Sequence, residues 1–304
     1  MEPLPPLPLE QWEPTKDTLH LWVQIVGKVK MASLPPKNHW WHVPLYVDVR
    51  GLTTRLLHSA DGTGFEIHFD FVDHELVVET ASANRSIELV DGLSVAEFDA
   101  RLHGTLGELD VAILEQPFGV PAFTTPFPDD HEHATYDAEA VARFWRVLDW
   151  SGSVLEEFSG WYCGKQSPVH LFWHGLDLAV TRFSGRPASP LPDADPVSRE
   201  AYTHEVISFG FWAGDKGVRE PTYYSYTLPE PVGLRDRPLA PPQAFWADQG
   251  SGSLARLPYE VVQTAPDPRQ TLLGFLETAY EAGADAAGWD RAGLMSSWCP
   301  IPSA

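Results

Sequence analysis

The stretch PVHLFWHGLDLAVTRFSGR at residues 168–186 puts His170 and Arg182 on one parity of an extended chain. That parity also carries His174, and otherwise Phe172, Leu176, Leu178 and Val180, which seek an apolar sheet. An imidazole and a guanidinium on such a face need partners, and a ligand can be one. Arg182 has the planar fork that suits a carboxylate or phosphate, whether from a small molecule or from a structural acid such as Glu205. A second histidine beside an acid, His204-Glu205 in EAYTHEVISFGFW, completes a possible acid–base set. His170 and His204 would transfer protons, and Glu205 would orient one of them. Strand neighbours point to opposite faces, so a facial triad of His170, His204 and Glu205 around iron is awkward. His170 and His174 would stand about 13 Å apart in a strand, too far for one metal. No metal or cofactor is assigned on these grounds.

The first half of the chain holds a second polar set. In WHVPLYVDVR, His42, Tyr46, Asp48 and Arg50 alternate with Val43, Leu45, Val47 and Val49, and Glu66, His68 and Asp70 alternate with Ile67, Phe69 and Phe71. The plainer reading is the solvated side of an antiparallel sheet. Within it His42 and Arg50 remain ligand-binding candidates behind Arg182, as do Trp173 and His133. His133 stands in DDHEHATYD, just before a helix start where an anion is welcome. Phosphate-binding glycine loops, GxSxG, HExxH and calcium-loop patterns are absent from the sequence.

The elements that must position these residues are legible in the periodicities. TKDTLHLWVQIVGKVKMAS reads as a helix started by Asp17 or Thr18. Extended pieces follow: HWWHVPLYVDVRGLTT, then FEIHFDFVDHELVVET turning at Asp73-His74, then SIELVDG. Ser94 to Glu97 is a capping box opening a helix, and DVAIL is a short strand. The proline-rich EQPFGVPAFTTPFPDDHEH is the best boundary, dividing lobes 1–128 and 129–304. Beyond it come a helix capped by Asp137, the strands of the opening stretch, of EAYTHEVISFGFW, PTYYSYTLPEP and LARLPYEVV, and a helix started at Asp267-Pro268. The expected fold is α+β, two related lobes each with an antiparallel sheet and flanking helices. Trp41-His42 with Arg50 matches Trp173-His174 with Arg182 at the same offset, which suggests an internal duplication.

Composition narrows the function classes. The chain has 304 residues, enough for a large core, and 42 acidic against 21 basic residues give a net charge of -21. Such a charge repels nucleic-acid phosphates and anionic lipid, so neither nucleic acid nor membrane is an expected partner. Cys163 and Cys299 are the only cysteines, which points away from a disulfide scaffold and toward the cytoplasm. The N-terminus lacks the pattern of a signal peptide, and no run is long enough to span a bilayer.

The blocks HWWHVPLYV, FEIHFDFVDH, SPVHLFW and LAVTRFSGR, with TLHLWVQIVGKVK, EHATYD and EAYTHEVISFGFW, resemble a bacterial family of uncharacterised proteins defined only by a domain of unknown function. The resemblance runs along nearly the whole chain and implies no catalytic residues. His42, His133, His170, Arg182 and His204-Glu205 match its pattern, whereas His174 stands where relatives often carry glycine. The expected function is that of an enzyme acting on a small polar or anionic metabolite in an aromatic pocket between the lobes. Arg182, Arg50, His42, Trp173 and His133 would bind it, and His170, His204 and Glu205 would do the chemistry. The alternatives are a non-catalytic small-molecule- or partner-binding protein, and a metal- or haem-dependent oxygenase.

Overall fold

A computed structural model describes residues 3–112, 125–189, 194–250 and 252–296. It contains seven α-helices and two antiparallel sheets of six strands each, an α+β fold as expected. Residues group into two compact units. One comprises Leu7–Asp149 and Leu171–Asp177; the other comprises the residues up to Pro6, Trp150–His170 and those from Leu178 onward. The division falls at residue 149, inside a helix, and a short piece near residue 174 joins the N-terminal unit.

The N-terminal unit is built around α1 (Glu13–Ser33). This helix starts a turn before Asp17, with Pro14 in its first turn, where a missing N–H does no harm. It is buried on nearly all sides from Leu19 to Val29, the pattern of a central helix. Gly27 lets Trp173 approach it, since a Cβ there would lie 2.4 Å from the indole. Gly27→Val is therefore expected to destabilise by about 2 kcal/mol through overpacking, read as a lowered urea midpoint. His20, two turns earlier, places Nε2 3.1 and 3.0 Å from the carbonyl oxygens of Trp173 and His174. Burial pushes this imidazole down to about 4, so it stays neutral.

The sheet of this unit follows the order β1 (Tyr46–Val47), β2 (Gly51–Thr53), β4 (Gly64–Asp70), β5 (Glu75–Thr80), β6 (Asn84–Glu88), and β3 (Leu57–His58) also pairs with β4. Ile67, Phe69, Leu76 and Val78 form its buried face. Helix α2 (Val95–Glu108) starts as the capping box requires, with Ser94 Oγ accepting from the Glu97 N–H at 3.2 Å. Its Phe98 stacks on Trp22 of α1 at 5.0 Å and on Phe69 of β4 at 6.2 Å, which makes one core of the three elements. The short strand expected at DVAIL is not formed at 111–112, and its remaining residues lie outside those described. Most of the proline-rich boundary segment lies outside them as well. Helix α3 (Ala138–Gly160) is capped by Asp137, whose Oδ1 accepts from the N–H groups of Glu139 and Ala140.

In the second sheet β7 (His170–Phe172) and β8 (Asp177–Pro187) are followed by α4 (Pro196–Ala201), β9 (His204–Trp212), β10 (Thr222–Leu228), β11 (Phe245–Asp248) and β12 (Ser253–Pro258). The spatial order is β11-β12-β10-β9-β8-β7. Strand β11 is four residues long and was not anticipated from the periodicity. After α5 (Tyr259–Gln263), α6 (Pro268–Ala286) begins at the expected Asp267 cap, and α7 (Arg291–Leu294) closes the described chain. Within this unit the C-terminal half of α3 and α6 pack on the sheet. Phe158 meets Phe209 edge-on at 4.9 Å, Ser151 Oγ lies 2.9 Å from Tyr223 Oη, and Gly283 lets α6 settle on Ile207 and Thr227.

The structure does not support the pairing of Arg50 with Arg182 as equivalent positions. Arg50 sits at an exposed bend between β1 and β2, while Arg182 is buried in the middle of β8. The bend arises because Asp48 Oδ1 accepts from the N–H groups of Arg50 and Gly51 at 2.9 and 2.8 Å, an Asx turn that interrupts the expected strand. Trp41-His42 follow a single helical turn in which His39 and Trp40 have φ of 56° and 60°, whereas Trp173-His174 lie at the turn between β7 and β8. Among the described residues no helix is long and apolar enough to cross a membrane.

Candidate functional site

The three catalytic candidates do not come together. Thr181 and Ser208 hydroxyls are 2.9 Å apart and Ser184 Oγ donates to Glu205 Oε2 at 2.9 Å, so β8 and β9 run in a register that sets His204 beside Gly185. The bridge between Gln166 and Arg182 sets His170 beside Leu178. The two histidines are thus about seven residues apart along β8, roughly 23 Å, with that strand between them. His170 is fully buried, at 0% exposure, while His204 is half-buried with Nδ1 3.0 Å from Thr203 Oγ1. Glu205 Oε2 accepts from Arg186 Nη2 at 2.7 Å. An acid–base pair of His170 and His204 is excluded by this spacing.

Arg182 is enclosed rather than offered. It is 2% exposed, donates from Nη2 to the Phe158 carbonyl at 2.5 Å, and lies 3.5 Å from the Phe158 ring centroid, 4.6 Å from that of Tyr280 and 4.9 Å from that of Tyr162. Among the described residues no acid pairs with it, Glu205 included. Burial pushes its proton affinity down to about 10, opposed by Tyr280, Tyr162 and Glu277, and it remains a cation at neutral pH. Aromatic faces line the guanidinium, and its Nε has no hydrogen-bond partner among the described residues.

The ligand-binding candidates of the N-terminal unit are also engaged. Arg50 donates from Nε to Asp70 and, at 2.5 Å, from Nη2 to Asp73, so it clamps the turn after β4. His42 is buried, its Nδ1 accepting the Lys37 N–H at 3.1 Å and its ring stacked on Trp40 at 5.4 Å. Burial lowers its pKa, and so do Lys37 and Lys30. His133 places Nδ1 2.8 Å from Asp130 Oδ2, in a segment whose carbonyl oxygens accept the Val95 and Ala96 N–H groups at the α2 start. Trp173 is buried against Gly27.

What the fold does bring together is the polar side of the N-terminal sheet. Cross-strand pairs align Tyr46 with Thr53 and Thr53 with His68. His68 Nδ1 lies 3.3 Å from Asp48 Oδ2 and its Nε2 3.4 Å from Glu66 Oε1, an imidazole between two carboxylates. The hydrogen bond to Asp48 raises its pKa against the opposing effect of burial. Burial would raise the Asp48 carboxyl, but His68 and the Arg50 and Gly51 N–H groups hold it below its ordinary value. Thr53 Oγ1 donates to Glu66 and accepts the Arg55 N–H at 2.8 Å, which ties the network to Arg55.

Arg55 and Lys30 converge on one ring. The Arg55 guanidinium carbon lies 3.3 Å from the Tyr46 ring centroid, and Lys30 Nζ lies 4.9 Å from the same centroid. Arg55 is exposed, has a left-handed φ of 59°, and its guanidinium has no hydrogen-bond or ion-pair partner among the described residues. A non-glycine residue held there stores strain, a feature that concentrates at functional sites. Lys30 is 4% exposed and donates to the carbonyl oxygens of Pro44 and Thr54 at 2.5 and 2.7 Å. Burial pushes the amine down to about 7, and the charges of Arg55 and Lys37 add to the effect while Glu66 opposes it.

Sequence alternation had placed Tyr46, Asp48, Glu66 and His68 on one face but left them as solvated surface. Lys30 was hidden among the helix-forming residues of α1, and Arg55 lay beyond the strand pattern. The signal available was the local concentration of Lys30, Lys37 and Arg55 in a chain of net charge -21. Among the described residues no group of three or more His, Cys, Asp or Glu is arranged to hold a metal ion. The comparisons with known proteins supply no role for these residues: no curated protein and no solved structure matches the chain. A family model does match, over residues 4–296, and the chain belongs to that family, a family of unknown function (DUF5996).

Proposed function

We propose that the protein binds a small anionic metabolite, through a carboxylate or phosphate, at the guanidinium edge of Arg55, and that His68 exchanges a proton with it. The single observation that carries this reading is a guanidinium without an acid partner, stacked on Tyr46, in a chain with twice as many acidic as basic residues. Stacking covers one face of the guanidinium and leaves its edge, with the forked N–H groups, toward the anion. His68, partly exposed and kept protonated to higher pH by Asp48, suits a general acid. The reading is thus an enzyme of small-molecule metabolism in the cytoplasm, with the catalytic role moved from His170 and His204 to His68. The second reading is a non-catalytic binding protein, and a specific observation favours it: both ring nitrogens of His68 already face carboxylates.

Calorimetric titration with inorganic phosphate and with malonate at low ionic strength tests the binding. Arg55→Met is expected to weaken the tighter of the two by about 10- to 100-fold, the range for a charged hydrogen-bonded pair. Equal affinity in this variant, or no binding of either anion to the wild type, would sink the proposal. His68→Gln separates the two readings, since it leaves a binding protein's affinity nearly unchanged and removes turnover from an enzyme.

A further inference from the structure

We infer that the Lys30 amine is a nucleophile that forms an imine with a carbonyl compound carrying an anionic group, such as an α-keto or α-formyl acid. The inference rests on the anion-binding reading of Arg55 and names its substrate class. Lys30 Nζ and the Arg55 guanidinium carbon lie 4.9 and 3.3 Å from one ring centroid, so they are no more than about 8 Å apart. In an α-keto acid the carbonyl carbon adjoins the carboxylate carbon, so a carboxylate held at Arg55 brings the carbonyl toward Lys30. The amine has no acid partner among the described residues, and its contacts are two backbone carbonyl oxygens and the Tyr46 ring. A neutral amine has two N–H bonds and one lone pair. With both N–H bonds directed at Pro44 O and Thr54 O, the lone pair takes the remaining tetrahedral direction. Burial beside Arg55 and Lys37 favours that neutral form at physiological pH. The half-buried Tyr46 ring covers the amine.

The step balances without an added oxidant or reductant. The nitrogen lone pair adds to the carbonyl carbon, the C=O π pair moves to oxygen, and oxygen takes a proton to give a carbinolamine. A second proton lets that oxygen leave as water while the C=N bond forms. The two protons gained by oxygen equal the two lost by nitrogen, so the step needs no net proton from outside.

Treating the full chain with glyoxylate and sodium cyanoborohydride near pH 7.5 reduces any imine to a carboxymethyl group on nitrogen, which peptide mapping locates. Lys30 is expected to be labelled at least tenfold faster than Lys16, Lys28, Lys37, Lys165 or Lys216, and inorganic phosphate is expected to slow it. Lys30 left unlabelled, or labelled no faster than the exposed lysines, overturns the inference. Phosphate or malonate binding that survives in that case leaves the anion-binding reading intact. Rapid labelling of Lys30 that is equally fast in Arg55→Met upholds the amine and overturns the role of Arg55 instead.

Discussion

Replacing Arg182 by methionine is expected to keep the protein within about 1.5 kcal/mol of wild-type stability, while alanine at the same position is expected to cost about 3 to 5 kcal/mol. The difference follows from what surrounds the side chain. Its stem fills space among Phe158, Tyr162, Phe209 and Tyr280, and truncation to alanine opens a cavity there. Its charge is buried without an acid, so removing the charge leaves no carboxylate stranded. Methionine loses the hydrogen bond to Phe158 O and the attraction of the rings but also removes the desolvation penalty of a guanidinium. Urea unfolding of both variants measures this. If methionine is as damaging as alanine, the charge itself contributes to the stability of the fold.

The stability of the wild type is expected to gain about 2 to 3 kcal/mol over Lys30→Met between pH 7 and pH 9. The folded-state pKa of Lys30 is lowered to about 7 from an ordinary 10.5. Between those values the unfolded chain carries a proton on this amine that the folded chain has released. Unfolding therefore takes up a proton, and stability rises with pH at up to about 1.4 kcal/mol per unit. The contribution is complete above the unfolded value and is lost as pH falls through the folded one. His68 works in the opposite sense: its pKa is raised in the fold, so its stabilisation is present at low pH and is lost as pH rises through that raised value. The difference between wild type and Lys30→Met removes the His68 effect, which both proteins share. Urea midpoints at pH 7, 8 and 9 that run parallel in the two proteins would show that the buried amine is not deprotonated in the fold, and would remove the chemical basis for its nucleophilic role.

Local chemistry in the sequence determined the elements and the family. Ser94, Asp137 and Asp267 start helices because their side chains satisfy N–H groups within three residues, an interaction that needs no tertiary partner. The alternation in FEIHFDFVDHELVVET specified a hairpin, and it also put Glu66 and His68 on a polar face beside Asp48 and Tyr46. Failures came from one local turn that overrode the strand pattern and from residues whose partners are distant in sequence. Asp48 looked like a strand residue, yet its turn with Arg50 and Gly51 broke the strand and undid the likeness between Arg50 and Arg182. The parity of His170 and Arg182 was real, but register decided that His170 and His204 lie far apart along β8. Whether a guanidinium seeks a ligand depends on what encloses it. Four aromatic rings, from α3, the segment after it, β9 and α6, surround Arg182, and no periodicity reveals that. Arg55 and Lys30 are 25 positions apart in the sequence and meet on Tyr46 only because α1 packs against the strands that carry it. Burial and charge proximity set the chemistry of an amine or an imidazole, and both are properties of the folded chain alone.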